Sequence, residues 1–230
     1  MLWNIDLTLV DVTKVTRAAY ADSFREVTGR PLVQLPQMAG RSEPEAFFDA
    51  LALNAIDIRD GEVAEKLLAS FTMAFSIQMS KRRDQLARDG HVLPGAAEAL
   101  AAVAGIGEVV QSVLTGSSRP NAELKLQVFG LEQYLDVEVG GYAGSDPFPK
   151  GTLLTVARQR AVEAYGVTFL DTVYIADALS DIAAAKLGGA RCIALASGRD
   201  STATLREAGA VAVLPDLTDI PPLLAAITAA

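Results

Sequence analysis

Polar residues able to do chemistry follow the short apolar runs of this chain. Asn4, Asp6 and Thr8 come at the end of Leu2-Trp3-Asn4-Ile5, and Thr115, Gly116 and Ser117 follow the run at 109–114. Lys150 precedes a helix expected near Thr152, and Asp177 and Asp181 follow the run at 173–176. The carboxylates suit a hard cation, which takes oxygen ligands. The hydroxyls and backbone N–H groups suit an anion, and the lysine adds positive charge.

Those groups need a scaffold that gathers strand ends at one edge. From Pro94 onward, apolar runs at 109–114, 137–139, 173–176, 192–195 and 211–214 alternate with helical stretches. That alternation predicts a parallel sheet with covering helices, in which ligands bind beyond the carboxyl ends of the strands. The opening run has no partner beside it in sequence and must join this later sheet. In between, 13–27 reads as a helix stopped by Gly29 and Pro31, and Ser42-Glu43-Pro44-Glu45 has the order of a capping box ahead of a helix at 46–53. Asp60-Gly61 opens a longer helical pattern running to about Arg88. The expected architecture is α/β: a Rossmann-like parallel core from residues 1–13 and 92–230, with a helical cap domain, 14–91, inserted into it. The crossings near 12–16 and 88–94, with Gly90 and Gly95, are the expected hinges.

The 230 residues suit one large domain or one domain with an insertion. Half are hydrophobic and the mean hydropathy is +0.27, enough for a continuous core and against intrinsic disorder. A net charge of −8, with no basic cluster longer than Lys81-Arg82-Arg83, argues against nucleic acid as a partner. The single cysteine and single histidine exclude an intramolecular disulfide, a cysteine zinc site and a multi-histidine metal centre. Cys192 reads as a small buried hydrophobe and His91 as a linker residue. With no long uncharged apolar run and no signal-peptide order at the start, the expectation is a cytoplasmic protein without membrane contact.

In this order the residues resemble the haloacid dehalogenase superfamily, specifically its phosphoglycolate-phosphatase-like members with a helical cap. The first family motif, a strand followed by Asp-x-Asp-Gly-Thr-Leu, looks like Asn4-Ile5-Asp6-Leu7-Thr8-Leu9. The second, a strand ending in Thr or Ser, looks like Leu114-Thr115-Gly116-Ser117. The third is similar to Lys150, at the end of the loop Asp146-Pro147-Phe148-Pro149, and the fourth, Gly-Asp-x-x-x-Asp, looks like Ala176-Asp177-Ala178-Leu179-Ser180-Asp181. The resemblance implies that position 4 attacks phosphorus and that Asp6 protonates the leaving group and later activates water. Thr115 and Lys150 would hold the phosphoryl oxygens. Position 4, Asp6 through its carbonyl, Asp177 and Asp181 would attract Mg2+. Each part answers a need of phosphoryl transfer, which requires an in-line nucleophile, positive charge on the transferring oxygens and a proton for the leaving oxygen.

The chain departs from that pattern where it matters most. Asn4 stands at the nucleophile position, and a carboxamide cannot form the acyl phosphate. Shifting the register to Asp6 loses the match of Thr8, so Asn4 keeps the first position. Leu7 and Ala176 replace two glycines, adding bulk beside the expected phosphate and metal pocket. A replacement made to trap substrate explains Asn4 alone; a lineage that gave up phosphate hydrolysis explains all three.

The resulting expectation is a phosphatase-like protein whose hydrolysis of small phosphomonoesters is absent or very weak, with magnesium binding weakened. Its partner would be a small phosphorylated or anionic metabolite, held at Gly116 and Ser117 and reached from above by Arg41. Two alternatives stand beside it: a magnesium-dependent phosphomonoesterase present as an Asp-to-Asn variant, and a non-hydrolytic lyase, isomerase or cyclase using Asp6 as acid/base.

Overall fold

A parallel sheet brings the polar strand ends together. The computed structural model describes residues 1–38, 40–144 and 149–229. Of the loop read ahead of Lys150, Asp146, Pro147 and Phe148 lie outside the described residues. The strands are β1 Leu2–Trp3, β4 Ser112–Ser118, β5 Gly141–Ala143, β6 Val173–Ala176, β7 Arg191–Leu195 and β8 Ala212–Leu214, in the order β5-β4-β1-β6-β7-β8. Every pairing is parallel, and β1 sits inside the sheet with Leu2 beside Ser112 and Tyr174 and Trp3 beside Val113 and Ile175.

Successive strand residues point to opposite faces, and both faces are apolar. Trp3, Val113, Ile175 and Ile193 enter one core cluster, whereas their neighbours Leu2, Leu114, Tyr174 and Cys192 enter the other. Helices α5 Ala96–Ala104, α6 Arg119–Val128 and α10 Ile220–Thr228 cover the first face through Leu100, Leu126 and Leu223. Helices α7 Lys150–Tyr165, α8 Leu179–Gly188 and α9 Thr202–Glu207 cover the second through Leu154, Ile182 and Leu205. The chain thus has the α/β, Rossmann-like parallel sheet expected of it.

Two short strands, β2 Val10–Asp11 and β3 His91–Val92, pair antiparallel where the chain leaves and re-enters the sheet layer. Between them run α1 Thr13–Thr28, α2 Glu43–Leu53, α3 Gly61–Lys81 and α4 Arg83–Asp89. The capping box is present: Ser42 N–H donates to Glu45 Oε2 at 2.9 Å, and Ser42 Oγ accepts from Glu45 N–H. Gly90 and Gly95 are close-packing positions, since a Cβ on Gly95 would lie 2.1 Å from the Leu217 carbonyl and one on Gly90 2.8 Å from that of Leu86.

Three expectations shift. The single long helix is two, because Arg82 leaves helical geometry at φ −99° and ψ 16° while its guanidinium bonds back to Gln78 and pairs with Asp22. Val137–Val139 is a 3-10 turn, and the strand follows it at Gly141–Ala143. Gly141 is the reason: a Cβ there would sit 2.5 Å from the Leu153 carbonyl of α7, so the strand that packs closest to this helix starts on a residue without apolar signal. The run at 109–114 is displaced to Ser112–Ser118, so Thr115, Gly116 and Ser117 lie within the strand, buried. No helix among the described residues is long and apolar enough to cross a membrane.

Candidate functional site

Asn4 follows β1, and its backbone N–H donates to the Ile175 carbonyl at 2.8 Å. After it the chain turns sharply. Leu9 and Val10 N–H both donate to the Ile5 carbonyl, at 2.9 and 3.1 Å, and Leu7 is driven to φ +60°, a left-handed conformation that L side chains disfavour. This is the position at which the resembled motif has glycine. The turn leaves the Asp6 side chain on the cavity and brings Thr8 Oγ1 within 3.3 Å of Asn4 Nδ2.

The Asn4 carboxamide is bonded on both ends. Its Nδ2 donates to the Asp6 carbonyl at 2.9 Å, to Asp177 Oδ1 at 3.0 Å and to Thr8 Oγ1 at 3.3 Å. Its Oδ1 accepts from Lys150 Nζ at 3.0 Å. Thr8 Oγ1 in turn donates to Asp177 Oδ1 at 2.9 Å. Burial, reinforced by the nearby charge of Asp181, pushes the Asp177 carboxyl up to about 6, against the opposing pull of Thr8, Asn4 and Lys150.

Lys150 is the first residue of α7, slightly earlier than the expected helix start, and Asp181 lies in the first turn of α8. They form a buried ion pair at 2.7 Å, with side-chain exposures of 3% and 0%. Tyr174 OH also donates to Asp181 Oδ1 at 2.9 Å. Asp181 therefore backs Lys150 instead of facing the cavity.

Asp6 has a partner that the strand-end reading missed. Lys125 Nζ, on α6, donates to both Asp6 oxygens at 2.9 and 2.7 Å and to Ser117 Oγ at 3.0 Å. The available signal was helical spacing: Lys125 shares the buried face of α6 with Ala122 and Leu126, an unusual place for a lysine without a partner. Beside it, Ser117 N–H donates to Thr115 Oγ1 at 3.1 Å.

Asn4, Asp6, Thr115, Gly116, Ser117, Lys150 and Asp177 line one cavity of about 480 Å³, roofed by the helical segment. Arg41 lines it too, but its guanidinium is paired with Asp49 of the same segment. The roof lies directly on the sheet edge, since a Cβ on Gly116 would fall 1.9 Å from the Arg41 carbonyl and one on Gly40 1.5 Å from Ser180 Oγ. Cys192 is buried in β7 and His91 lies in β3, neither lining the cavity.

The residues present do not fit a magnesium ion. The acceptors that would converge on it, the Asp6 carbonyl and Asp177 Oδ1, converge on an N–H donor of Asn4. The remaining carboxylates of the expected set, Asp6 and Asp181, are bonded to lysines. Among the described residues no group of three or more His, Cys, Asp or Glu is placed to hold a metal.

The haloacid dehalogenase-like hydrolase family model matches residues 1–186. A phosphoglycolate phosphatase from Nitrosococcus oceani is 25% identical over 228 residues, covering 97% of this chain and 95% of that one. A predicted phosphatase from Clostridium acetobutylicum superposes with a TM-score of 0.69 at 18% identity, covering 98% of this chain and 96% of its own. CbbY from Rhodobacter sphaeroides, solved in complex with phosphate, gives a TM-score of 0.62 at 18% identity, over 95% and 94% of the two chains. Shared fold and a family match over most of its length make this chain a member of the haloacid dehalogenase-like hydrolase family.

Proposed function

We propose that the chain is a phosphatase-like member of its family that binds a small phosphorylated metabolite at the sheet edge and hydrolyses phosphomonoesters at most very weakly. Residues 1–13 and 92–230 serve as the binding core and 14–91 as its cap. The observation that carries this reading is the Asn4 carboxamide, whose nitrogen is committed to Asp177, Asp6 and Thr8 and whose oxygen is committed to Lys150. A neutral amide in that role offers phosphorus no nucleophile, so no acyl phosphate forms. Magnesium has no part in this reading, because an N–H donor stands where its acceptors converge.

What remains can hold an anion. Thr115, Gly116 and Ser117 present hydroxyl and backbone groups, and Lys125 and Lys150 set positive charge behind them. Asp6, held by both oxygens on Lys125, would have to turn from that lysine to serve as the acid/base of a non-hydrolytic reaction, which weighs against that alternative. The phosphate complex of CbbY supports an anion in this fold, and the name of the Nitrosococcus oceani relative supports a small phosphorylated one.

A second reading is an active phosphomonoesterase stopped only at position 4. It is favoured by one observation: Lys150, Thr8 and Asp177 all contact Asn4, whose side chain has the shape of aspartate. Phosphate release over a panel of small phosphomonoesters with magnesium, comparing this chain with Asn4→Asp, separates the two. The first reading, in which Leu7 at the motif's glycine position also crowds the cavity, expects at most a trace of release from either protein; the second expects release from the variant alone. Release from the unaltered chain at a rate typical of a working phosphatase would overturn both.

A further inference from the structure

Where the helical segment meets the core, one buried ammonium serves two carboxylates. Lys125 Nζ has three protons and spends all of them, two on the Asp6 oxygens and one on Ser117 Oγ. Its single charge is thereby matched by Asp6. Glu43, the first residue of α2, is the second carboxylate. It is only 7% exposed, and its hydrogen bonds come from neutral groups of the core, Asn121 Nδ2 at 3.0 Å and the neighbouring Ser118. A favourable helix dipole explains an acid in the first turn of α2, but not its burial against α6.

The charge that favours an ionised Glu43 is that of Lys125, acting through space. Other titratable groups around it are engaged elsewhere or open to water. On α1 the Tyr20 phenol is held protonated by burial and by the Glu43 charge itself. On α2, Glu45 is turned to Ser42. Arg17, Arg41 and Asp6 border the same cavity, Arg17 exposed, Arg41 paired with Asp49 and Asp6 with Lys125.

An anion seated beside Ser117 draws on that same ammonium. Negative charge entering the cavity competes for Lys125 and repels an ionised Glu43, so the Glu43 carboxyl holds its proton more tightly once the anion is in place. By linkage the reverse holds too: the anion binds most tightly while Glu43 is neutral, and less tightly as the pH rises through its titration.

We propose that Glu43 is a proton-linked regulator of the anion site, so that an anion seated beside Ser117 and Lys125 binds together with a proton on the Glu43 carboxyl. This rests on the reading of the cavity as a phosphoryl site.

Sulfate is the probe, because it keeps its double negative charge over the pH range in which phosphate changes its own. NMR titration of the full chain, labelled at the glutamate side-chain carboxyl carbon, follows Glu43 with and without saturating sulfate and leaves the aspartates silent. Glu43→Gln identifies the signal, and Glu43→Asp serves for that if the glutamine variant does not fold. The Glu43 midpoint is expected to rise by about one pH unit with sulfate bound, equivalent to about a tenfold change in sulfate affinity. In calorimetric titrations the ratio of Glu43→Gln to parent affinity should accordingly climb from near one toward about tenfold as the pH rises through that midpoint. A midpoint unmoved by sulfate, or a ratio flat with pH, overturns the coupling and leaves the anion site in place. If neither sulfate nor inorganic phosphate binds, the phosphoryl-site reading falls and takes the coupling with it.

Discussion

Asn4 Nδ2 lies 3.0 Å from Asp177 Oδ1, while the amide oxygen faces the Lys150 ammonium. Chemistry on both sides dictates which way the amide points: reversing it would set oxygen against carboxylate and NH2 against ammonium. A carboxylate at position 4 would repel Asp177 until a cation came between them.

Asn4→Asp is therefore expected to be less stable than the parent without divalent cation and to regain stability as magnesium is added, by the usual linkage of binding to folding. The parent should melt at the same temperature with and without magnesium. Thermal denaturation across a magnesium series checks this, and a parent that gains as much as the variant would contradict it.

Leu7 carries backbone strain worth about 1–2 kcal/mol at its left-handed φ of +60°. Leu7→Gly relieves that strain but loosens the unfolded chain and gives up partial burial, so its net effect should stay within about 1 kcal/mol. Leu7→Val, β-branched at the same φ, should be destabilised by about 1–3 kcal/mol. Urea unfolding of the pair measures both, and a Leu7→Gly loss typical of core truncation would refute the assignment of strain.

Lys125 is buried and Asp6 is partly exposed, with side-chain exposures of 3% and 37%. Removing the lysine leaves a carboxylate that can turn toward water, so Lys125→Met should cost about 1–3 kcal/mol, below the range for an ion left wholly buried. Affinity for inorganic phosphate should fall with it, since the nearest ammonium to Ser117 is gone. Unchanged phosphate affinity would remove Lys125 from the anion site.

Burial pushes the Glu43 carboxyl above its ordinary value of 4.5, with Lys125 and the Asn121 hydrogen bond pulling the other way. The folded state then holds this proton more tightly than the unfolded one. The associated stability is fully present below 4.5 and is lost as the pH rises through the higher folded value. Glu43→Gln lacks that loss, so its stability relative to the parent should climb as the pH rises from 4.5 to neutrality. A difference that is flat with pH would show that Glu43 titrates normally.

The strand-end residues were legible because a parallel sheet collects its carboxyl ends at one edge whatever the intervening chain does. Asn4, Thr115, Lys150 and Asp177 meet there for that reason. Lys125 and Glu43 were not legible as cavity groups because each sits on a helix, where function depends on which turn faces the cavity and not on where an apolar run stops. Asp181 was placed in the right neighbourhood and the wrong direction: the strand pattern locates its helix, but only packing reveals that Tyr174 and Lys150 hold it behind the cavity. The strand at Gly141–Ala143 escaped notice because what it needs is close approach, which glycine provides and hydrophobicity does not record.

The antiparallel pairing of Val10–Asp11 with His91–Val92 joins the two crossings that the sequence marks as hinges, and so bears on how the roof would move. Outgoing and returning passes are stitched side by side there, while the helices also pack on the core, Phe47, Phe71 and Phe75 sharing one apolar cluster with Trp3, Val113 and Ile175. Swinging about that pairing would leave its hydrogen bonds intact, whereas sliding across the sheet would tear them. Any such swing would have to part the contacts of Gly40 with Ser180 and of the Arg41 carbonyl with Gly116.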